Sequence, residues 1–368
     1  MKTKQVAVID IGSSKITVAV SERGVNKTFI IKGRRSYEYE GYADREFFDV
    51  NSVKEILLNC CDFVKSVASG DIKTVYVAIP GEFTDVFVKE SQISFPKKKS
   101  ITSKDVDSLF DSAFLMQGQT YSQINRSAIV YELGDYRRLA NPLGAVSEIL
   151  RGKLSFVVCD NQLLDIVKTT LKVGGFSNIE CVSSPLAQAM YIIDAETRDR
   201  IAMMLDVGYI SCTFSIVQGD GILFQKSFGY GGGYITAAIS EKYSMDFAHA
   251  ENLKRQINLS KETDAHESVY NSDGKYYLEE EVKSVIKNSL DDLCENVSEI
   301  IESSGYVIPE YVPLLVTGGG ISYIRGAREH VSDRLNTVVE IVSPKVPLMS
   351  NPDESSLLSL LDLALEQN

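Results

Sequence analysis

Hydrophobic and polar positions along residues 7–20, AVIDIGSSKITVAV, predict two strands joined by a polar turn. Residues 203–216, MMLDVGYISCTFSI, repeat the arrangement: an apolar run, an aspartate, a β-branched residue, a glycine, a polar turn and an alternating strand. Each copy is followed by a short turn and a further strand-like run, at 29–31 and 222–224. One such copy is an ordinary hairpin. Two copies heading two α/β halves predict a duplicated architecture.

Between and after the copies the period changes. The spacing of Val53, Ile56, Leu57, Cys60 and Val64 predicts a helix over 51–67, and TVYVAI at 74–79 a buried strand stopped by Pro80-Gly81. From 82 to 158 the rhythm breaks. A strand-like run at 85–95 leads to a lysine loop and then a helix from Ser103 with Val106, Leu109, Phe110 and Ala113 inward. A loop with Asn141-Pro142-Leu143-Gly144 and a strand at 154–158 complete what reads as a small α+β insertion in the first half. Helical patterns return over 161–173, 234–256 and 279–303. A buried strand at 314–317 runs into Gly318-Gly319-Gly320 and a helix, and an apolar-rich helix closes the chain at 355–366.

Composition narrows the classes. A chain of 368 residues exceeds one ordinary core, so two or more domains are expected. A hydrophobic content of 44% with 24% charged residues is that of a soluble globular protein. The net charge of −12 argues against a general nucleic-acid partner, which needs clustered Lys and Arg. The runs Arg34-Arg35, Lys97-Lys98-Lys99 and Arg137-Arg138 are short and read as solvated loops. The six cysteines form no Cys-x-x-Cys pair, which excludes common zinc sites and a disulfide framework, and Cys60 and Cys61 read as small hydrophobes. The start, MKTKQVAVIDIG, lacks the apolar core of a signal peptide, and no segment reaches the roughly 18 apolar residues of a membrane span, so a cytoplasmic location is expected.

Candidate chemistry lies in glycine motifs. At each Asp-x-Gly turn the glycine lets backbone N–H groups approach a phosphate; Ser13 and Ser14 add hydroxyls and Lys15 a charge. Asp10 and Asp206 would repel a triphosphate, so they make sense there only with Mg²⁺ or its water shell between. Either turn alone is as well explained by an aspartate capping a turn; the duplication favours the phosphate reading. Gly231-Gly232-Gly233 opens a helix pattern, suiting phosphate or ribose oxygens at its N-terminus. Glu251 and Lys254 share a face of that helix, where the Glu could accept from ribose hydroxyls and the Lys stem lie along a purine; the same spacing serves a surface ion pair. Gly318 to Gly320 either let a flat ligand pass bare backbone or form a flexible turn. P-loop, Gly-x-Gly-x-x-Gly and Gly-x-Ser-x-Gly patterns are absent from the sequence, and His249, His266 and His330 are isolated.

Taken in order, these motifs resemble the actin/Hsp70/sugar-kinase superfamily, and within it the chain is similar to the bacterial cell-division protein FtsA. VIDIGSSK at 8–15 matches the first phosphate loop. The insertion after Ile79 is similar to the small FtsA domain, with Asn141-Pro142-Leu143-Gly144 followed by Glu148 and Leu150. FGYGGGYIT at 228–236, AENLK at 250–254 and TGGGI at 317–321 fall in the family's order.

The resemblance implies an α/β, two-lobed actin-like (ribonuclease H-like) fold. The first lobe would comprise 1–81, 159–199 and the closing helix 351–368, with the inserted α+β domain at 82–158. The second lobe would comprise 200–233 and 305–350, with a helical subdomain at 234–304. It implies Mg-ATP in the interlobe cleft. Gly12, Ser13, Ser14, Lys15, Gly208, Ser211, Gly231 and Gly232 would lie about the phosphates, Glu251 and Lys254 at ribose and base, and Gly318, Gly319 and Gly320 beside the nucleotide. Asp10 and Asp206 would hold Mg²⁺ through water. It further implies self-association into filaments and attachment of the FtsZ ring to the inner face of the membrane at the division site. An FtsZ C-terminal peptide would bind the 234–304 subdomain, and other division proteins the 82–158 insertion.

Three departures qualify this. The family's second loop continues Asp-x-Gly-Gly-Gly-Thr, whereas here Tyr209 and Ile210 follow Gly208, which predicts slow or no hydrolysis and weakened affinity. Vigorous ATPases of the superfamily place a Glu or Gln in the crossing helix; Ser184 cannot act as a base, and Gln188 is the substitute candidate. The family ends with a linker and a basic amphipathic membrane helix, but the run 357–365 contains Asp362 and no Lys or Arg and reads as a docked core helix. Membrane contact would then come from residues beyond Asn368 or through a partner. A PilM-like pilus assembly adaptor is the alternative function, and a small-molecule kinase of the superfamily a third, lacking a candidate acceptor-side base beyond Asp10 and Asp206.

Overall fold

The computed structural model describes residues 4–25, 28–113, 120–264, 266–346 and 349–367. Met1 to Thr3 and Asn368, read above as chain ends, lie outside the described residues. The first copy of the duplicated pattern is β1 (Gln5–Ile11), β2 (Lys15–Arg23) and β3 (Phe29–Glu38). A two-strand ribbon, β4 (Tyr42–Ala43) and β5 (Glu46–Phe47), leads to α1 (Val50–Val67), whose cap Asp49 accepts from the N–H groups of Asn51 and Ser52. The strand β6 (Thr74–Ile79) follows. After the insertion come α3 (Asn161–Val173), β11 (Asn178–Ser183), α4 (Ser184–Ile192) and α5 (Ala195–Arg200), the last unforeseen in the hydrophobic pattern. The insertion comprises β7 (Thr84–Ser100), α2 (Ser103–Ala113), β8 (Tyr121–Leu133), β9 (Arg138–Leu139) and β10 (Val146–Asp160).

The second copy is β12 (Ala202–Val207), β13 (Ser211–Gln218) and β14 (Gly221–Gly229). It continues through α6 (Gly232–Tyr243), α7 (Phe247–Gln256), the hairpin β15 (Ser268–Tyr270) and β16 (Tyr276–Leu278), and α8 (Glu279–Ser303). Last come β17 (Leu314–Thr317), α9 (Ala327–Leu335), β18 (Val339–Ile341) and α10 (Ser355–Gln367).

The two main sheets have the same plan, β11-β6-β1-β2-β3 and β18-β17-β12-β13-β14, with one parallel and one antiparallel neighbour on each central strand. Both central strands are apolar except at Gln5, Asp10 and Asp206, because both faces are covered. Ala7, Ile9 and Ile11 face α1 and α3, while Val6 and Val8 face α10 and α4. Likewise Met203, Leu205 and Val207 face the α6–α8 side, and Ala202 and Met204 face Ala189 of α4 and Ile193 just after it. Helix α4 is thus shared between the two halves. The leucine-rich closing segment is docked, with Leu357, Leu358, Leu360, Leu361 and Leu365 buried. Among the described residues no helix is long and apolar enough to cross a membrane.

The inserted sheet, ordered β7-β10-β8-β9, packs one face on Leu109 and Phe110 of α2. It also reaches the second half. The Asp220 N–H donates to the Ala128 carbonyl (3.1 Å), and the Ser155 hydroxyl to the Ile222 carbonyl (2.7 Å). Gly219 at this turn has φ +56, and a Cβ there would fall 2.0 Å from the Ile129 carbonyl oxygen, so only glycine fits the approach.

Two expectations are corrected. Lys97 to Lys99 are no loop but lie near the end of β7, Lys97 and Lys98 in a register shift and Lys99 paired with Ser147 of β10. The single helix expected over 234–256 is two, broken where Ser244 takes a left-handed conformation (φ 47) and Asp246 caps α7.

Candidate functional site

The two Asp-x-Gly turns are built alike. Asp10 pairs with Thr17 across its hairpin and Asp206 with Thr213 across the other. Each turn closes on one backbone bond of 3.0 Å, from Gly12 N–H to the Lys15 carbonyl and from Gly208 N–H to the Ser211 carbonyl. The turns face each other across a cavity of about 540 Å³ between the halves, lined by Gly12, Ser13, Ser14 and Lys15 from the first and by Gly208, Tyr209 and Ser211 from the second. At their closest, the Ser13 hydroxyl oxygen accepts the N–H groups of Tyr209 (3.2 Å) and Ile210 (3.1 Å).

Both aspartates line this cavity and are enclosed by protein elsewhere. Burial pushes the Asp10 carboxyl up to about 6; the Ser356 hydroxyl donating to its Oδ1 (2.6 Å) opposes the rise, and the charge of Asp206 adds to it. Burial likewise raises Asp206, offset by the Gln188 amide donating to its Oδ2 (3.0 Å). Among the described residues no group of three or more His, Cys, Asp or Glu could hold a metal ion. A cation here would therefore complete its shell with phosphate oxygens and water, which fits two carboxylates of raised proton affinity facing one cavity.

The glycines after β14 are placed differently from expectation. The N–H groups of Gly231, Gly232 and Gly233 donate to the carbonyls of Ile210 (2.8 Å), Gly208 (2.9 Å) and Tyr209 (2.7 Å), bracing the second turn from behind. Gly231 and Gly232 do not line the cavity. Gly232 sits so close to Gly320 that a Cβ would fall 2.3 Å from the Gly320 carbonyl oxygen. Gly320 in turn donates its N–H to the Val207 carbonyl (2.7 Å) and lies behind the turn, while Gly318 and Gly319 reach the cavity.

Glu251 lines the cavity but Lys254 does not reach it. The Lys254 ammonium is turned inward, where it donates to the Gly232 carbonyl (3.0 Å), the Thr236 hydroxyl (2.8 Å) and Glu251 (2.6 Å). Burial pulls its pKa below the ordinary value, and Glu251 only partly restores it. The next residue, Arg255, lines the cavity instead, held by Glu251 (2.7 Å) with its guanidinium over the Tyr323 ring (5.3 Å).

Sequence reasoning assigned no role to the segment 352–356, which closes the cavity floor. The Ser355 hydroxyl oxygen accepts from Gln188 (3.0 Å) and Thr317 (3.0 Å), and Ser356 bonds Asp10 and Ser184 (2.8 Å). Asp353 lies 3.8 Å from Lys15 and accepts from Tyr323 (2.7 Å), and Glu354 pairs with Arg34 (2.6 Å). Tyr39, also missed, donates its hydroxyl to the Gly12 carbonyl (2.7 Å). The Pro-Asp-Glu-Ser-Ser run before an apolar helix was a legible capping signal, but nothing in it shows which carboxylate its hydroxyls meet.

The sequence profile of the type IV pilus assembly protein PilM matches residues 179–360. The cell division protein FtsA of Streptococcus pneumoniae serotype 2 is 22% identical over 366 residues, covering 97% of this chain and 79% of its own length. Among solved structures, the PilM-PilN type IV pilus biogenesis complex superposes with a TM-score of 0.64 at 15% identity, covering 98% of both chains. MreB5 of Spiroplasma citri bound to ADP superposes with a TM-score of 0.57 at 13% identity, covering 100% of this chain and 98% of its own. These likenesses make the fold that of the actin-like proteins.

Proposed function

We propose that this chain, a divergent relative of FtsA with the actin-like fold, is a cell-division adaptor that binds a nucleotide in its interlobe cavity and turns it over slowly or not at all. One observation carries the reading: two equivalent carboxylate-bearing turns, in the same register on duplicated sheets, face one cavity. In this reading Asp10 and Asp206 hold Mg²⁺ through water, and the Mg²⁺ supplies the charge that lets phosphates approach them. Ser13, Ser14 and Lys15 receive phosphate, Gly318 and Gly319 let the nucleotide pass the backbone, and Glu251 with Arg255 face its ribose and base.

Slow or absent turnover follows from the second turn and from α4. The N–H groups of Tyr209 and Ile210 are held by Ser13, and the amide of Gln188, the candidate in the crossing helix, is spent on Asp206 and Ser355. The same feature weighs against a small-molecule kinase. As an adaptor the chain would self-associate, bind an FtsZ C-terminal peptide through residues 234–304, and meet other division proteins through 82–158, at the inner face of the membrane.

Thermal unfolding with millimolar Mg-ATP or Mg-ADP tests the cavity, and a rise in Tm with either is the expected result by linkage. No shift with either nucleotide refutes ligand binding there. A pilus adaptor is the second reading, favoured by the PilM profile match and by the superposition on the PilM-PilN complex. Binding of an FtsZ C-terminal peptide, against a pilus-assembly peptide, separates the two.

A further inference from the structure

The two turns share a backbone register but differ in what their N–H groups do. Those of Tyr209 and Ile210 both end on the Ser13 hydroxyl oxygen, so one oxygen accepts two backbone donors as a phosphate oxygen would. Ser13 is 7% exposed, which shields these bonds from competing water. Ile210 also bridges the halves: its Cδ1 lies 2.6 Å from where a Cβ on Gly41 would sit. The carbonyls of the second turn are fixed from behind by the N–H groups of Gly231, Gly232 and Gly233, so its donors are not free to swing elsewhere.

The first turn is in another state. Among the described residues the N–H groups of Ser13 and Ser14 meet no acceptor, and the turn is held open to the cavity by Tyr39 on the Gly12 carbonyl. A terminal phosphate can be gripped there by two backbone donors and Lys15. A further phosphate, extending toward the opposite turn, competes with Ser13 for the donors it needs.

We propose that Ser13 is a specificity-determining residue that makes this cavity prefer a nucleoside diphosphate to a triphosphate, because its hydroxyl occupies the two N–H groups a third phosphate requires. The inference builds on the nucleotide-binding reading above and names the ligand class. A third phosphate must also approach Asp10 and Asp206; Mg²⁺ offsets that repulsion but returns no backbone donor.

Calorimetric titration with Mg-ADP and with Mg-ATP, on the wild-type chain and on Ser13→Ala, tests this. The expected wild-type result is tighter ADP binding by about tenfold, the worth of two ordinary hydrogen bonds. Ser13→Ala is expected to erase the preference by strengthening ATP binding relative to ADP, so the quantity read is the ratio of the two affinities. Equal or tighter ATP binding by the wild type overturns the inference while sparing the nucleotide reading. So does a variant that shifts both ligands equally, since the hydroxyl would then be a latch between halves and no selector. Binding of neither nucleotide removes the nucleotide reading and this inference with it. Should the variant fail to fold, Ser13→Gly takes its place in the same comparison, and equal or tighter ATP binding by the wild type overturns the inference in either case.

Discussion

The ammonium of Lys254 has three oxygens around it and is 4% exposed, whereas the next residue, Arg255, carries its charge at the cavity edge. Removing the first breaks a buried ion pair and takes one donor from the Gly232 carbonyl, which keeps the Thr236 hydroxyl (3.2 Å), and leaves Glu251 with Arg255 and Thr236. Lys254→Met is therefore expected to cost on the order of 3 kcal/mol in urea unfolding. Arg255→Ala is expected to cost less than about 1 kcal/mol but to reduce the nucleotide-induced rise in Tm. The spacing of Glu251 and Lys254 was legible, and so was their shared helical face. Which way that face points was not, because an i, i+3 pair looks the same whether it meets solvent or a neighbouring carbonyl. The role of Ser13 was half legible for a similar reason: a turn hydroxyl was expected to meet phosphate, and its bond to the opposite turn depends on how two distant halves dock.

At the scale of elements, the first turn of α10 connects the halves. Ser355 bonds Gln188 and Thr317, and Ser356 bonds Asp10. Burial beneath this turn holds the Asp10 carboxyl up at about 6, against an ordinary value of 3.8, although the Ser356 bond opposes the rise. The folded chain keeps a proton that the unfolded chain has released, so this contribution is full below about pH 4 and is lost as pH rises through about 6. Asp206, also raised by burial, acts in the same direction. Asp10→Asn removes the dependence at that position. Without divalent cation or nucleotide, it is expected to exceed the wild type in stability at pH 7 by up to about 3 kcal/mol, with a flatter Tm profile between about pH 4 and 6. A wild-type Tm that climbs over that interval would contradict this. Strand and helix identity in this layer was largely readable, since α1, α3, α8 and β6 follow plain periodicities. The break at Ser244 escaped notice because apolar spacing continues through it, although Asp246 is a good cap. Lys97 to Lys99 escaped because charge suggested a loop where β10 offers a pairing edge.

For the molecule as a whole, the inserted sheet ties the two halves at a point remote from the facing turns. The turn at Gly219 fits against Ile129 with no room for a Cβ. Gly219→Ala adds that clash to the backbone strain of a positive φ and is expected to cost about 2 kcal/mol or more. Gly144→Ala is the control: φ is +80, but a Cβ there would meet nothing within 4 Å, so only the strain of about 1 kcal/mol applies. Equal losses in urea unfolding would show that the docking contributes nothing. The duplication was readable because both copies repeat a whole strand–turn–strand unit; this third contact was not, since no local pattern marks where an insertion will lean.

The bond between Ser356 and Asp10 joins residues 346 positions apart. During synthesis Asp10 is made long before the hydroxyl that meets it, which is added only after every strand of both sheets. The central strands can form early, each within its own half, but the polar centre between them stays unfinished until translation passes Ser356. Nascent chains of every shorter length carry an incompletely sealed seam, so the completed fold depends on a pairing of very high sequence separation.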